Sequence, residues 1–449
     1  MKKFLSPSFL IALLCIHAVS FASIGKIVFM HINQNAKVWF LILTVLGAGG
    51  LNRVFYKILI TPLTNNHDRM SYAFFLSTCN AVFYVLVHGF MTCVRLITGR
   101  TCKKMLLYPW KAYATPMKRN LRVTRLPPLL LFVLIGSLDG IGGVVGLLAA
   151  PYISGVMISM MMQSMIFFSM LASIVLLKAR YTAWQVLGIA IVLSGTVMAL
   201  LPDLLECEEG REALHFGDMS TRKYVGYHVL MAVSTLPYAI SYTLREVIFM
   251  KCPKLDIFIV NLHASLWQAI LSPVMITLTV TFNIMLKQTQ QKSFSDFLLN
   301  GIYCILAQKN RMEDDQIRCS ALREPLWPSL PFTLPYFCYI SCNLCLNVSL
   351  VLLVKNASAL QCFMALKAIL PIAVSLFFFH WPMLVPQTPS VFVIGGLFIV
   401  LLGLFIFRQS TVMKDRYRGL HGEKAVSCFS TFPLKLWNAR QNPTNRPSV

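Results

Sequence analysis

The chain has 449 residues, of which 57% are hydrophobic and only 13% charged, with a mean hydropathy of +0.66. Soluble domains run at roughly 45–50% apolar and about 25% charged, so a cytosolic globular enzyme is excluded, as are a disordered chain and a small disulfide scaffold. The formal charge of +23 sits in short connections between apolar runs, which is how loops hold a membrane topology and not how a nucleic-acid surface is built.

The N-terminal segment 1–36 opens with Lys2-Lys3, an apolar stretch from Phe4 to Ser23, and small residues at Ala18-Val-Ser20 and Phe21-Ala-Ser23. That is signal-peptide composition. Three readings stay open: a cleaved signal, an anchor or membrane-lying helix, and a mispredicted first exon. Cleavage would leave residues 24–36 outside and invert every loop assigned below, so the extra helix is the reading that agrees with the rest.

A bilayer core about 30 Å thick needs roughly 20 apolar helical residues per crossing. Ten such runs follow, near 37–60, 71–97, 128–149, 153–177, 182–201, 223–244, 256–286, 332–354, 358–381 and 390–407. Loop charge orients them. The connection after the second run carries Arg95, Arg100, Lys103, Lys104, Lys111, Lys118, Arg119, Arg122 and Arg125 without an acid, and is expected in the cytosol. Alternation then puts Lys178 and Arg180, Arg245 with Lys251 and Lys254, Lys355, and the tail from Arg408 on the same side. The connection Asp203 to Asp218, with six acids and one Arg, falls on the other.

The chain therefore divides into a first transmembrane repeat (37–201), an acidic luminal loop (202–222), a second repeat (223–407) with a luminal Cys loop at 287–331, and a basic cytosolic tail (408–449). The repeat rests on a weak match: Ser154 and Gln163 against Ser358 and Lys367, then Gly188 and Gly195 against Gly396 and Gly403. Five spans is an odd number, so two copies in sequence run in opposite orientations. Inverted repeats place a substrate site near the midplane. The glycines Gly136, Gly140, Gly142, Gly143 and Gly146 of the third run are read as packing.

Charges in hydrocarbon are costly enough that each is a functional candidate. Arg53, Asp139 and Lys367 qualify, followed by the uncharged Asn52, Gln163, Gln268 and Asn347 at similar depth. Arg53 either snorkels with Lys57 or lines a cavity. Asp139 cannot snorkel, and is either a buried partner of Arg53 or Lys367 or a contact for substrate or proton. Of the histidines His88, His228, His263 and His380, His263 joins Asp139 and Glu246 as a coupling or gating candidate, because His titrates near neutral pH. Glu246, beside Arg245, is read first as a structural ion pair.

Motifs for chemistry are missing: no phosphate-cradling loop, HExxH, GxSxG or zinc-spaced Cys pairs. No enzyme activity, cofactor or metal is expected. Cys342 and Cys345 lie inside a span and are read as packing. Cys304 and Cys319 share the external connection and can pair if that compartment is oxidising. Asn347-Val-Ser349 and Asn356-Ala-Ser358 match the glycosylation pattern at an intramembrane and a cytosolic position, where it is not used.

Taken with Asn52-Arg53-Val-Phe-Tyr-Lys57, Leu138-Asp139, Gln163 with Lys178-Ala-Arg180-Tyr181 and Gly188, Pro237 through Ser241 to Arg245-Glu246, Leu255-Asp256, Asn261, Ser358-Ala359 and Pro371, the chain resembles the drug/metabolite transporter superfamily. Within it, the chloroquine resistance transporter family and its plant plastid relatives are similar over nearly all of 37–407. The resemblance implies an all-α, ten-helix inverted five-plus-five repeat and proton-linked export of amino acids, short peptides or weak-base drugs from an acidic vacuole. The plastid members imply thiol peptides such as glutathione. It also gives Arg53 and Asp139 cavity-lining positions, and one disulfide, Cys304 with Cys319, where relatives have two Cys pairs. Two departures stand out: no proline follows Gln163, where Ser164, Met165 and Ile166 stand, and Lys367 adds a cation.

The expectation is a monomeric secondary transporter whose partners are a small solute, protons and the bilayer, in a vacuolar or lysosome-like membrane, or alternatively a plastid. Asp139 binds the proton or an amine, Arg53 and Lys367 set cavity charge, and Gln163, Asn52 and Gln268 contact substrate. The rival is a nucleotide-sugar, phosphosugar or glutathione-type transporter of the same fold.

Overall fold

The computed structural model describes residues 34–60, 71–99, 101, 103–110, 126–204, 221–285, 333–356 and 391–430. The segment 4–23, Cys304 and Cys319, and Lys367 with the run 358–381 lie outside them.

Among the described residues every long element is an α-helix: α1 (Gln34–Ile60), α2 (Ser71–Ile97), α3 (Pro128–Ala149), α4 (Gly155–Met161), α5 (Ser164–Leu177), α6 (Ala183–Leu204), α7 (Thr221–Val233), α8 (Thr235–Lys251), α9 (Ile257–Met285), α10 (Thr333–Asn356) and α11 (Val391–Ser430). Seven segments are long and apolar enough to cross a membrane: Cys79–Ile97, Pro128–Ala149, Gly155–Leu177, Ala183–Leu201, Ile257–Met275, Tyr336–Lys355 and Val391–Thr411. The expectation was ten. The expected run 358–381 is outside the described residues, and α1 and the α7–α8 pair are helical but not among the seven. Both carry the buried charges that build the site. Large apolar side chains such as Val175, Ile97 and Phe398 point outward, a surface suited to lipid.

Local chemistry sets the boundaries. Pro127-Pro128 opens α3, since a missing N–H costs nothing in a first turn. Ser154 caps α4 by accepting from Met157 N at 3.2 Å. The fourth run, expected as one helix, breaks at Met162–Gln163, and the sixth breaks at Ser234. The two breaks meet. Ser164 Oγ donates to Met161 O at 2.6 Å and reaches Ala232 O at 3.1 Å and Thr235 Oγ1 at 3.2 Å. The hydroxyl satisfies carbonyls that a broken helix leaves exposed, as bilayer depth demands. Lys178, ending α5, adopts a left-handed φ of 50°.

α3, α8 and α9 form the centre, with α2 against α9, α5 against α8 and α1 against α10. α6 and α11 pair at one side through reciprocal glycines. A methyl on Gly188 would meet Gly403 O at 2.8 Å, and one on Gly195 would meet Gly396 O at 2.7 Å. Falling positions on one helix match rising positions on the other, so the two run antiparallel with backbones nearly touching. At one end of this pair Thr182 Oγ1 bonds Ser410 Oγ at 2.7 Å. Replacing Gly195 by Val forces backbone apart from backbone. The expected cost is about 1–3 kcal/mol, read as a lower thermal midpoint of the purified protein, with an unchanged midpoint contradicting the close approach.

Candidate transport cavity

A cavity of about 220 Å³ lies between α1, α2, α3, α8 and α10, with Gln268 of α9 and Met162 and Met165 of the broken fourth run on its walls. It collects five of the expected residues: Asn52, Arg53, Asp139, Gln268 and Asn347. Arg53 has no hydrogen-bond or ion-pair partner among the described residues. Asn52 is buried and its Nδ2 is unpartnered, so both aim unused donors at the cavity.

Asp139 lines the cavity and is paired with a residue that is neither of its expected partners. Its Oδ2 accepts from Arg245 Nη2 at 2.5 Å, and the two side chains are 8% and 3% exposed. The Arg245 guanidinium also sits 4.8 Å over the Tyr242 ring. Arg53 is therefore not the partner of Asp139. The pair is incompletely satisfied, since Asp139 Oδ1 and Arg245 Nε and Nη1 have no partner. Gly142 makes the geometry accessible: a methyl there would strike the Tyr238 ring at 2.9 Å, so α8 could not approach α3 at this level.

Around these charges the walls are tyrosine and asparagine. Tyr56 and Tyr339 lie with ring centroids 5.9 Å apart, and the Tyr339 hydroxyl accepts from Asn80 Nδ2 at 3.1 Å and Asn343 Nδ2 at 3.4 Å. Tyr84, Tyr238 and Asn347 complete the polar lining. The sequence reading missed Arg245 by assigning it to a loop, and missed the tyrosines because amphipathic aromatics in an apolar run look like interface anchors. Their signal was spacing: Tyr238, Tyr242 and Arg245 fall on one helical face.

Other expected site residues lie elsewhere. Gln163 is 1% exposed and does not line the cavity; its Nε2 turns to Ser159 O at 3.3 Å in the preceding helix, α4. His263 bonds Ile259 O through Nδ1 at 2.8 Å and packs on Phe132 with centroids 5.3 Å apart, also off the cavity. Glu246 is half-buried and off the cavity, and its neighbour Arg245 pairs with Asp139. On the side of the cavity opposite Arg245, Lys57 is buried and donates to Ala150 O at 3.2 Å and Ile153 O at 2.6 Å, where a cation suits the carbonyl end of α3. Tyr152 stacks on Tyr227 at 4.2 Å there. Among the described residues no cluster of His, Cys, Asp and Glu could hold a metal ion.

A profile of the CRT-like, chloroquine-resistance transporter-like family matches residues 38–407. The chain belongs to the CRT-like family. Curated relatives include Protein CLT3, chloroplastic, of Arabidopsis thaliana, 26% identical over 378 residues that cover 82% of this chain and 71% of that protein. Protein CLT1, chloroplastic, of the same plant is 27% identical over 81% of this chain and 70% of its own. The chloroquine resistance transporter of Toxoplasma gondii is 26% identical over 64% of this chain, a match that spans 31% of that longer protein. Membership in the CRT-like family makes this a multi-pass membrane protein of a transporter family.

Breaking the buried pair tests its geometry. Asp139→Leu or Arg245→Met alone leaves an unpaired buried charge and is expected to cost about 3–5 kcal/mol, read as loss of folded protein or a sharply lower thermal midpoint. The double variant removes both charges and is expected to recover most of that loss. Additive losses would mean that the two side chains do not act on each other.

Proposed function

We propose that this CRT-like protein is an alternating-access carrier for small polar solutes bearing a carboxylate, such as amino acids and short peptides, moved with protons from an acidic lumen to the cytosol. The observation that carries this reading is the division of charge in the cavity: Asp139 is taken by Arg245, and among the described residues Arg53 has no hydrogen-bond or ion-pair partner. A guanidinium matches a carboxylate bidentately. Tyrosine faces opposite can take an ammonium group or a side chain. A net cation disfavours weak-base drugs.

The inverted repeat supplies the mechanism, and the packing supports it. With the two halves exchanged, α1 against α10 maps onto α8 against α3, while α2 with α9 and α6 with α11 map onto themselves. Gly188 against Gly403 and Gly195 against Gly396 form the matching reciprocal contact. Discontinuous helices at the cavity, as at Met162–Gln163 and Ser234, suit a carrier whose halves rock. Proton linkage is assigned to Asp139, because a protonated carboxyl loses its hold on Arg245 and changes how α3 and α8 are tied. Sidedness follows loop charge, which puts Arg95, Lys251 and Lys355 in the cytosol.

The rival cargo is a phosphate-bearing one, a nucleotide-sugar or phosphosugar, which Arg53 would also bind. The cavity volume of about 220 Å³ disfavours a nucleotide-sugar, since sites for drug-sized ligands run at about 300–1,000 Å³, whereas a phosphosugar is separated from the proposed cargo only by the transport test. A glutathione-type tripeptide stays within the proposal, and the chloroplastic relatives make a plastid the alternative membrane. The test is uptake of labelled arginine, leucine and glutathione into proteoliposomes with and without an inward pH gradient. Arg53→Gln is expected to raise KM about 10–100-fold for the accepted solute, the loss of one charged hydrogen-bond pair, and Asp139→Asn to abolish the response to the gradient. Uptake indifferent to both changes would refute the assignment, and flux of only phosphate esters would install the rival.

A further inference from the structure

Between the cavity and the end of the bundle that carries Arg95, Lys251 and Lys355 lies a second polar region. Asp256 stands just ahead of α9, and its carboxylate is shared three ways. Oδ2 accepts from Arg95 Nη1 at 2.6 Å and from Thr101 Oγ1 at 2.7 Å, while Oδ1 accepts from Phe258 N at 3.0 Å. One side chain thus ties the end of α2 to the first turn of α9. Lys355 of α10 adds a bond to Leu255 O at 2.7 Å.

Inward from this knot the contacts run without interruption to the cavity. The Arg95 guanidinium lies 4.6 Å over the Phe258 ring, Phe258 meets His88 edge-on at 6.2 Å, and His88 stacks at 5.8 Å on Tyr84, a cavity wall. Along α9, Phe258, Asn261, Ser265 and Gln268 recur at helical spacing on one face, and Gln268 again lines the cavity.

Two polar side chains on this route lack partners among the described residues. His88 is 1% exposed with neither ring nitrogen bonded, and Asn261 is 2% exposed with both amide atoms unbonded. A polar group buried without a partner is costly, and the helix seam offers no apolar reason for a His and an Asn. Both find partners if the seam opens and fills with water or solute. We infer that the seam between α2 and α9, from Tyr84 past His88 and Asn261 to Phe258, is a passage closed in this structure, with Phe258 as its plug and Asp256 with Arg95 and Thr101 as its latch. The identity of what passes rests on the transport reading above, whereas the opening of the seam does not.

The experiment uses the full chain in lipid nanodiscs carrying His88→Cys, exposed to a small methanethiosulfonate reagent, with modification at position 88 itself followed by tandem mass spectrometry so that native Cys79 and Cys93 do not interfere. Asp256→Asn keeps the acceptor for Phe258 N and removes the charge held by Arg95. It is expected to speed modification at position 88 at least tenfold. Thr101→Val and Arg95→Gln, expected to give smaller rises, serve should Asp256→Asn not fold. Equal rates with the latch intact and broken overturn the passage. In an otherwise unchanged chain, His88→Leu is expected to raise the thermal midpoint, because it removes an unpaired buried group, and to slow transport at least tenfold. A raised midpoint with unchanged transport makes His88 mere packing and also overturns it. A chain that carries no solute but shows latch-dependent labelling keeps the passage and sinks the transport reading.

Discussion

The ion pair between Asp139 and Arg245 is the constraint around which the bundle is arranged. Both charges are almost wholly buried, and neither tolerates hydrocarbon alone. Their union therefore fixes the depth of α3 against α8. The rest of the centre follows from that register: Gly142 has to be a glycine for Tyr238 to pass, Tyr242 has to lie under the guanidinium, and α9 and α5 pack on the two helices so joined. The pair also decides the character of the cavity, because it removes the one cavity-lining acid from circulation.

Backbone accounting explains the irregular parts. A helix that breaks within the membrane exposes carbonyls that no water reaches. Here the breaks at Met162–Gln163 and Ser234 are placed against each other, so that the Ser164 and Thr235 hydroxyls serve the carbonyls of Met161 and Ala232. No proline follows Gln163, where Ser164, Met165 and Ile166 stand, and the helix still breaks just before Ser164. The hydroxyl takes the exposed carbonyl by bonding, and the site retains a polar link between α5 and α8 that a proline could not make. Lys57 does similar work at the end of α3, where its ammonium collects two carbonyls that the helix terminus leaves over.

Helices and charges in the midplane were legible because hydrocarbon penalises exceptions: an Arg, an Asp or an Asn in an apolar run has to be explained, and Arg53, Asn52, Asp139 and Gln268 all reach one cavity. What the sequence hid was pairing. Arg245 looked like a loop charge because it stands one residue before Glu246 and six before Lys251, yet the helix runs on to Lys251 and keeps Arg245 inside the bundle, where it meets Asp139. Gln163 misled for the opposite reason. An amide at midplane depth reads as a substrate contact, yet at the Met162–Gln163 break its Nε2 turns back to Ser159 O of α4. The tyrosines escaped because an aromatic that lines a cavity and one that packs at an interface are the same residue in the same pattern.

The charge bookkeeping bears on how such a carrier chooses its cargo. Among the described residues an acid and two arginines face the centre, and pairing subtracts one of each sign, so on the proposed reading selectivity passes to Arg53. Were Asp139 free, the cavity would hold a carboxylate and a guanidinium side by side and would suit a zwitterion or a cation equally. With Arg245 holding Asp139, a cationic solute meets only Arg53 and the tyrosine faces, and repulsion at low dielectric exceeds what a ring face returns. An anionic or zwitterionic solute meets a guanidinium whose desolvation it repairs. If a proton on Asp139 loosens Arg245, the cavity gains a second cation at the moment the pair gives way, and attraction for a carboxylate strengthens with the same event that frees α3 from α8. Solute affinity and helix movement then respond to one proton, which is the coupling a proton-linked carrier requires.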